Sequence, residues 1–116
     1  MTQTHFMIEW LKIDDLYCIP RGLHTGIGLH TVLHYTGIVR HHRWLTVSAE
    51  GQLSWLWLRR TGPVTGVIGN LDEVHDLRPM GMIFERLVHF SCGSRTIQLF
   101  APRIEADRIV THLSRP

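Results

Sequence analysis

The chemistry this sequence could perform rests first on arginine. Arg40 and Arg43 bracket two histidines in Val39-Arg40-His41-His42-Arg43, and Arg59 and Arg60 stand together farther along the chain. A guanidinium presents its donors in a planar fork. Several converging from one rigid hairpin can therefore hold phosphate or carboxylate oxygens through charge-assisted hydrogen bonds. Of the twelve basic residues only Lys12 is lysine; the others are all arginine. The formal net charge is only +2, too small to argue for bulk binding to nucleic acid.

The nine histidines invite a test for metal. His30 and His34 would lie one turn apart on a helix and could share a zinc ion. On a strand, four residues span roughly 13 Å, and two ligands that must each reach one ion cannot bridge that gap. Gly26, Gly28, Thr31 and Val32 favour strand, so the pair reads as structural. His41 and His42 point to opposite faces if extended. No metal or other cofactor is implied. Trp55 and Trp57 share a strand face with Leu53 and Arg59, a spacing that would also suit base stacking on an oligonucleotide-binding (OB)-like barrel. An aromatic-packed sheet wall explains it without a ligand. The sequence has no G-x-S-x-G elbow, H-E-x-x-H helix or phosphate-cradling glycine loop, so a non-catalytic protein is expected.

The elements that would position these residues are mostly strands. Residues 5–17 are the exception: Phe6, Trp10, Ile13 and Tyr17 recur at three- and four-residue steps, which predicts a short N-terminal helix in an extension over residues 1–25. Pro20 and Gly22 end it. Leu29, Thr31, Leu33 and Tyr35 then alternate with His30, Val32 and His34 as in a strand. Residues 44–48 and 53–58 predict a hairpin across Ala49-Glu50-Gly51-Gln52. Short strands follow around Val67 and Ile68 and over residues 74–77, with breaks at Gly62-Pro63 and at Pro79-Met80-Gly81-Met82. Residues 87–91 and 96–100 predict a last hairpin. Pro102 suits a helix start, and Ala106, Ile109, Val110 and Leu113 form the apolar stripe of a closing amphipathic helix. The sum is about seven meandering strands whose exposed edges would be managed by bending the sheet into a partly open barrel capped by that helix.

At 116 residues, 44% of them hydrophobic, the chain can bury a core without staples. Cys18 and Cys92 lack C-x-x-C spacing, and buried thiols in a reduced, cytoplasmic protein are expected. No apolar run reaches the length of a membrane span, and the N-terminus lacks the pattern of a signal peptide.

The order Arg43-Trp44-Leu45-Thr46-Val47, turn, Leu53-Ser54-Trp55-Leu56-Trp57, then a final strand entering a helix, resembles a pleckstrin-homology (PH) domain. The passage from Asn70-Leu71-Asp72 to Pro79-Met80-Gly81 is similar to one in the PH domains of phosphoinositide-specific phospholipase C. Leu99-Phe100-Ala101-Pro102-Arg103 resembles the end of their strand seven. The resemblance spans roughly residues 26–113. Ile109 stands where the family usually has tryptophan. The resemblance implies a PH-like domain over residues 26–116. Its role would be recruitment to membranes through anionic phosphoinositide headgroups held by His34, Arg40, His42, Arg43, Arg59 and Arg60. His34 falls at the family's lysine position, late in strand one. The alternative is a PH-like protein-docking domain without specific lipid binding. Phospholipase chemistry is not implied, because in that family it belongs to a separate barrel domain.

Overall fold

The computed structural model describes residues 3–21, 42–81 and 84–114. Their strands are β1 (Thr4–Met7), β2 (Trp10–Ile13), β3 (Leu16–Ile19), β4 (Arg43–Val47), β5 (Gln52–Arg59), β6 (Gly62–Asn70), β7 (Val74–Gly81), β8 (Glu85–Cys92) and β9 (Arg95–Pro102). A 3-10 turn at Leu71–Glu73 joins β6 to β7, and α1 (Arg103–Leu113) follows β9. Two antiparallel sheets result, ordered β1-β4-β5-β6 and β3-β2-β9-β8-β7. The expected mainly β architecture with one C-terminal helix is what the described residues form.

Residues 5–17 are not helical. β1 and β2 are two halves of one strand that changes sheets at Ile8 and Glu9. The Ile8 N–H donates to the Arg43 carbonyl at 3.2 Å, and the next N–H, of Glu9, donates to the Phe100 carbonyl at 2.6 Å. Phe6, Met7, Ile8, Glu9, Trp10 and Leu11 are all buried around this corner. A strand covered on both faces loses its period-two signature, and the remaining spacing imitated a helix. The β2–β3 hairpin turns at Asp14, which adopts a left-handed φ of 53°, a conformation aspartate tolerates better than most residues. Asp14 and Thr96 exchange two hydrogen bonds, N–H to Thr96 O at 2.7 Å and Thr96 N–H to Oδ1 at 3.0 Å. Residues 4–19 are thus woven into both sheets. The strand expected over residues 29–35 lies outside the described residues.

The β4–β5 and β8–β9 hairpins form as expected. Gly51, at φ 87°, makes the first of these turns. β6 and β7 are longer than their sequence suggests, because Pro63, Gly66 and Pro79 lie within strands. Both strands are sheet edges, where the missing proline N–H is tolerated and blunts edge-to-edge pairing.

The core lies between the sheets. Leu45, Val47, Leu53, Trp55 and Ile68 meet Leu11, Ile19, Val88, Phe90, Ile97 and Leu99, and Ala106, Ile109 and Leu113 of α1 join the same cluster. The helix stripe therefore faces inward as its periodicity predicts. Glu105, in the first turn of α1, is buried and accepts the Met7 N–H at 2.7 Å and the Arg108 guanidinium at 2.6 Å. The Arg103 N–H, one of the donors a helix start leaves without an internal partner, bonds to the Phe84 carbonyl at 2.9 Å.

Candidate anion-binding site

Four of the six expected site residues are described, and all four sit at one end of the β1-β4-β5-β6 sheet. His42 immediately precedes β4, and its carbonyl accepts the Leu58 N–H at 2.8 Å. Arg43 lies directly across from Trp57. Arg59 ends β5 and Arg60 begins the turn to β6. His34 and Arg40 lie outside the described residues.

These positions have unequal roles. Arg43 Nη1 donates to the carbonyls of Glu9 at 2.5 Å and Pro20 at 3.0 Å. It thereby ties the corner of the first strand and the exit of β3 to β4. Burial pushes the Arg43 pKa down, against the opposing pull of Glu9. Arg59 and Arg60 are exposed. The Arg59 guanidinium lies 5.4 Å from the Trp57 ring centroid, and that of Arg43 lies 5.7 Å from it. A guanidinium held against an aromatic ring is oriented before a ligand arrives and still has outward N–H groups.

Two further cations were not expected at a site from the sequence. Arg21 follows the Pro20 carbonyl that Arg43 binds, and its guanidinium sits 4.9 Å from the Trp10 ring centroid and 5.7 Å from that of Tyr17. The Lys12 ammonium also lies against Tyr17, 5.5 Å from its ring centroid. Trp10 is itself stacked on Phe100, with centroids 5.7 Å apart. The helical reading of residues 5–17 placed Trp10 and Tyr17 on a core-facing stripe. In the structure Trp10 is buried beneath Arg21, and the exposed Tyr17 carries Arg21 and Lys12, next to the Pro20 carbonyl that Arg43 binds.

The other constellations resolve differently. Trp55 belongs to the core and Trp57 packs against it, so the tryptophan spacing builds the inner wall of a sheet. Among the described residues no group of three or more His, Cys, Asp or Glu is disposed to hold a metal ion. Burial pushes the thiols of Cys18 and Cys92 up, which keeps them protonated and poorly nucleophilic. A wide cleft of about 550 Å³ opens between Ile13, Cys18, Trp55, Val67 and Arg95.

His75 is held between two acceptors, with Nδ1 3.1 Å from Asp76 Oδ2 and Nε2 3.2 Å from the Gly93 carbonyl. Both ring nitrogens can donate only in the imidazolium. The Gly93 carbonyl, then Asp76, raises its pKa above the usual 6.5. A ring-proton NMR titration should therefore find His75 protonating above that value, and Asp76→Asn should lower it. The sign follows from the raised pKa: this tie between β7 and the β8–β9 turn is complete below the unfolded pKa. It is lost as pH rises through the folded one.

No family model, no curated protein and no solved structure matches the chain.

Proposed function

We propose that this chain is a non-catalytic, PH-like recruitment module that binds phosphoinositide headgroups at a membrane surface. The observation that carries this reading is that Arg43 and the exposed Arg59 both lie against Trp57 at one sheet end, with exposed Arg60 next in the chain. Inositol phosphates need several guanidinium or ammonium donors fixed on a rigid support, and Trp57 and the β5–β6 turn supply that support. The PH-like fold is part of the proposal. It is supported by a bent first strand shared between two sheets, a run of hairpins from β4 to β9 and a helix that follows the last strand into the core. No helix among the described residues is long and apolar enough to cross a membrane, and a cytoplasmic protein that associates peripherally is consistent with the proposal.

Titration with soluble inositol trisphosphate, followed by NMR, tests the reading. The expected result is movement of the Trp57 indole and Arg59 side-chain resonances, with affinity reduced about tenfold or more for each of Arg59 and Arg60 replaced by alanine, since each charge-assisted bond contributes about 1.5 kcal/mol or more. Absence of any shift at millimolar ligand would remove the proposal.

A second reading, docking of a protein partner without specific lipid binding, is favoured by the cleft. Leu16 and Val67 line it, with relative exposures of 70% and 54%, and they lie on two edge strands, β3 and β6. Edge strands with exposed apolar side chains suit addition of an extended peptide.

A further inference from the structure

Two carboxylates are buried near the corner where the first strand changes sheets. Glu9 is 7% exposed and Glu85 2%. Glu85 pairs with Pro102 at the end of β9, directly before α1, and Glu9 bonds through its N–H to Phe100 on the same strand. Among the described residues Glu85 Oε2 is buried with no hydrogen-bond partner. An ionised carboxylate in that position would lack the donors that normally offset its desolvation. Burial first, and the charge of Glu9 second, raise the Glu85 pKa to about 7.

Among the described residues no charged group on the surrounding elements acts as a counter-ion to Glu85, whereas Arg43 and Glu9 attract each other. From β4, Arg43 is bonded to the Glu9 and Pro20 carbonyls. Next to Glu85 on β8, Arg86 pairs with Asp107 of α1 at 2.6 Å, while its Nε is buried without a partner among the described residues. From α1, Glu105 is turned toward Met7 and Arg108. Arg103 is exposed and contributes its backbone N–H to Phe84.

We infer that Glu9 and Glu85 form a proton-operated catch at the junction of β8 and α1. With a proton on Glu85 the corner is closed and the Arg103 N–H stays on the Phe84 carbonyl. When that proton leaves to solvent, the second negative charge, beside Glu9 and with Oε2 lacking a donor, drives Glu85 toward water. Residues 84–85 then come away from the first turn of α1. The device is independent of whether the arginine cluster binds lipid.

The sign follows from linkage. The open state restores Glu85 to its ordinary acidity, so opening becomes easier as pH rises from about 4.5 to about 7 and levels off above that. Hydrogen exchange at the Arg103 and Ala106 amides, corrected for the intrinsic pH dependence of exchange, reads the opening equilibrium directly. It is expected to rise about tenfold between pH 6 and pH 8 in the natural protein. In Glu85→Gln it should be flat, and in Glu9→Gln the plateau should begin at lower pH. Carboxyl-carbon NMR of the unaltered chain is the companion measurement and does not depend on either variant folding. Glu85 titrating near 4.5, or a pH-dependent opening that persists in Glu85→Gln, would overturn the inference.

Discussion

Gly66→Ala is expected to unseat Trp55 and to destabilise the protein by about 3 kcal/mol, at the upper end of what overpacking usually costs. Gly66 lies directly across from Trp55 in the β5–β6 ladder. A Cβ at residue 66 would lie 2.5 Å from the Trp55 Nε1, 2.7 Å from Cε2 and 2.8 Å from Cζ2. These contacts are far inside van der Waals distance, and the atoms belong to a rigid ring. Trp55 cannot yield locally, because it is 9% exposed and belongs to the same cluster as Leu53, Ile68 and Phe90. Either the indole swings toward the cleft it lines or β6 shifts outward. Urea unfolding measures the loss, and red-shifted tryptophan emission would report the displaced ring. Replacing Trp55 with leucine as well should recover most of the added cost of Gly66→Ala, because that penalty belongs to the pair. A Gly66→Ala protein of unchanged stability would mean that the ring does not lie over the glycine.

Ile109→Ala is expected to cost a further, independent 3 kcal/mol or so, the middle of the range for large-to-small core changes. Ile109 is completely buried between the sheets, with Ala106 and Leu113 on the same face of α1. Val110 only borders that cluster, and Val110→Ala should lose about 1 kcal/mol or less. Thermal and urea melts of the pair separate a helix that closes the core from one lying against its outside: equal losses would contradict the inward orientation of the stripe. The contrast also bears on the resemblance noted in the sequence. Isoleucine at 109 does the apolar packing that the resemblance would assign to tryptophan.

What the sequence disclosed depended on how each strand is covered. β5 shows clean alternation because one face packs on the core while the other is more open: Leu53 and Trp55 are buried, Ser54 and Leu56 only half-buried. β8 and β9 have the same property, and α1 keeps its stripe because only one side is buried. The first strand has no such asymmetry, since consecutive residues from Phe6 to Leu11 are all buried at the corner. That corner is created by β4 and β9, distant in sequence, so local pattern could not reveal it. Pro63 and Pro79 concealed β6 and β7 for a different reason. Proline forbids a central strand but not an edge, and edge position is a property of the assembled sheet.

The candidate site divides in the same way. Arg59 and Arg60 were legible as exposed cations at a strand end. The tethering of Arg43 was not, because its acceptors are backbone carbonyls of Glu9 and Pro20, groups present in every residue. Arg21 and Lys12 were hidden by the helical reading of residues 5–17, which contain Lys12 and end shortly before Arg21. Glu9 and Glu85 gave no signal at all, as nothing in a sequence distinguishes a glutamate that will be buried from one that will be solvated.

The central claim, that the arginine end recruits the protein to phosphoinositide, is tested most directly by vesicle sedimentation at physiological ionic strength. Vesicles would carry neutral lipid alone, neutral lipid with phosphatidylserine, or neutral lipid with phosphatidylinositol bisphosphate. The expected result is sedimentation with the bisphosphate vesicles, and its loss when Arg59 and Arg60 are replaced by alanine. Arg43→Ala should lower the melting temperature as well as binding, because Arg43 also holds the corner. Sedimentation that ignores the bisphosphate, or that survives loss of both Arg59 and Arg60 in a folded protein, would contradict the account.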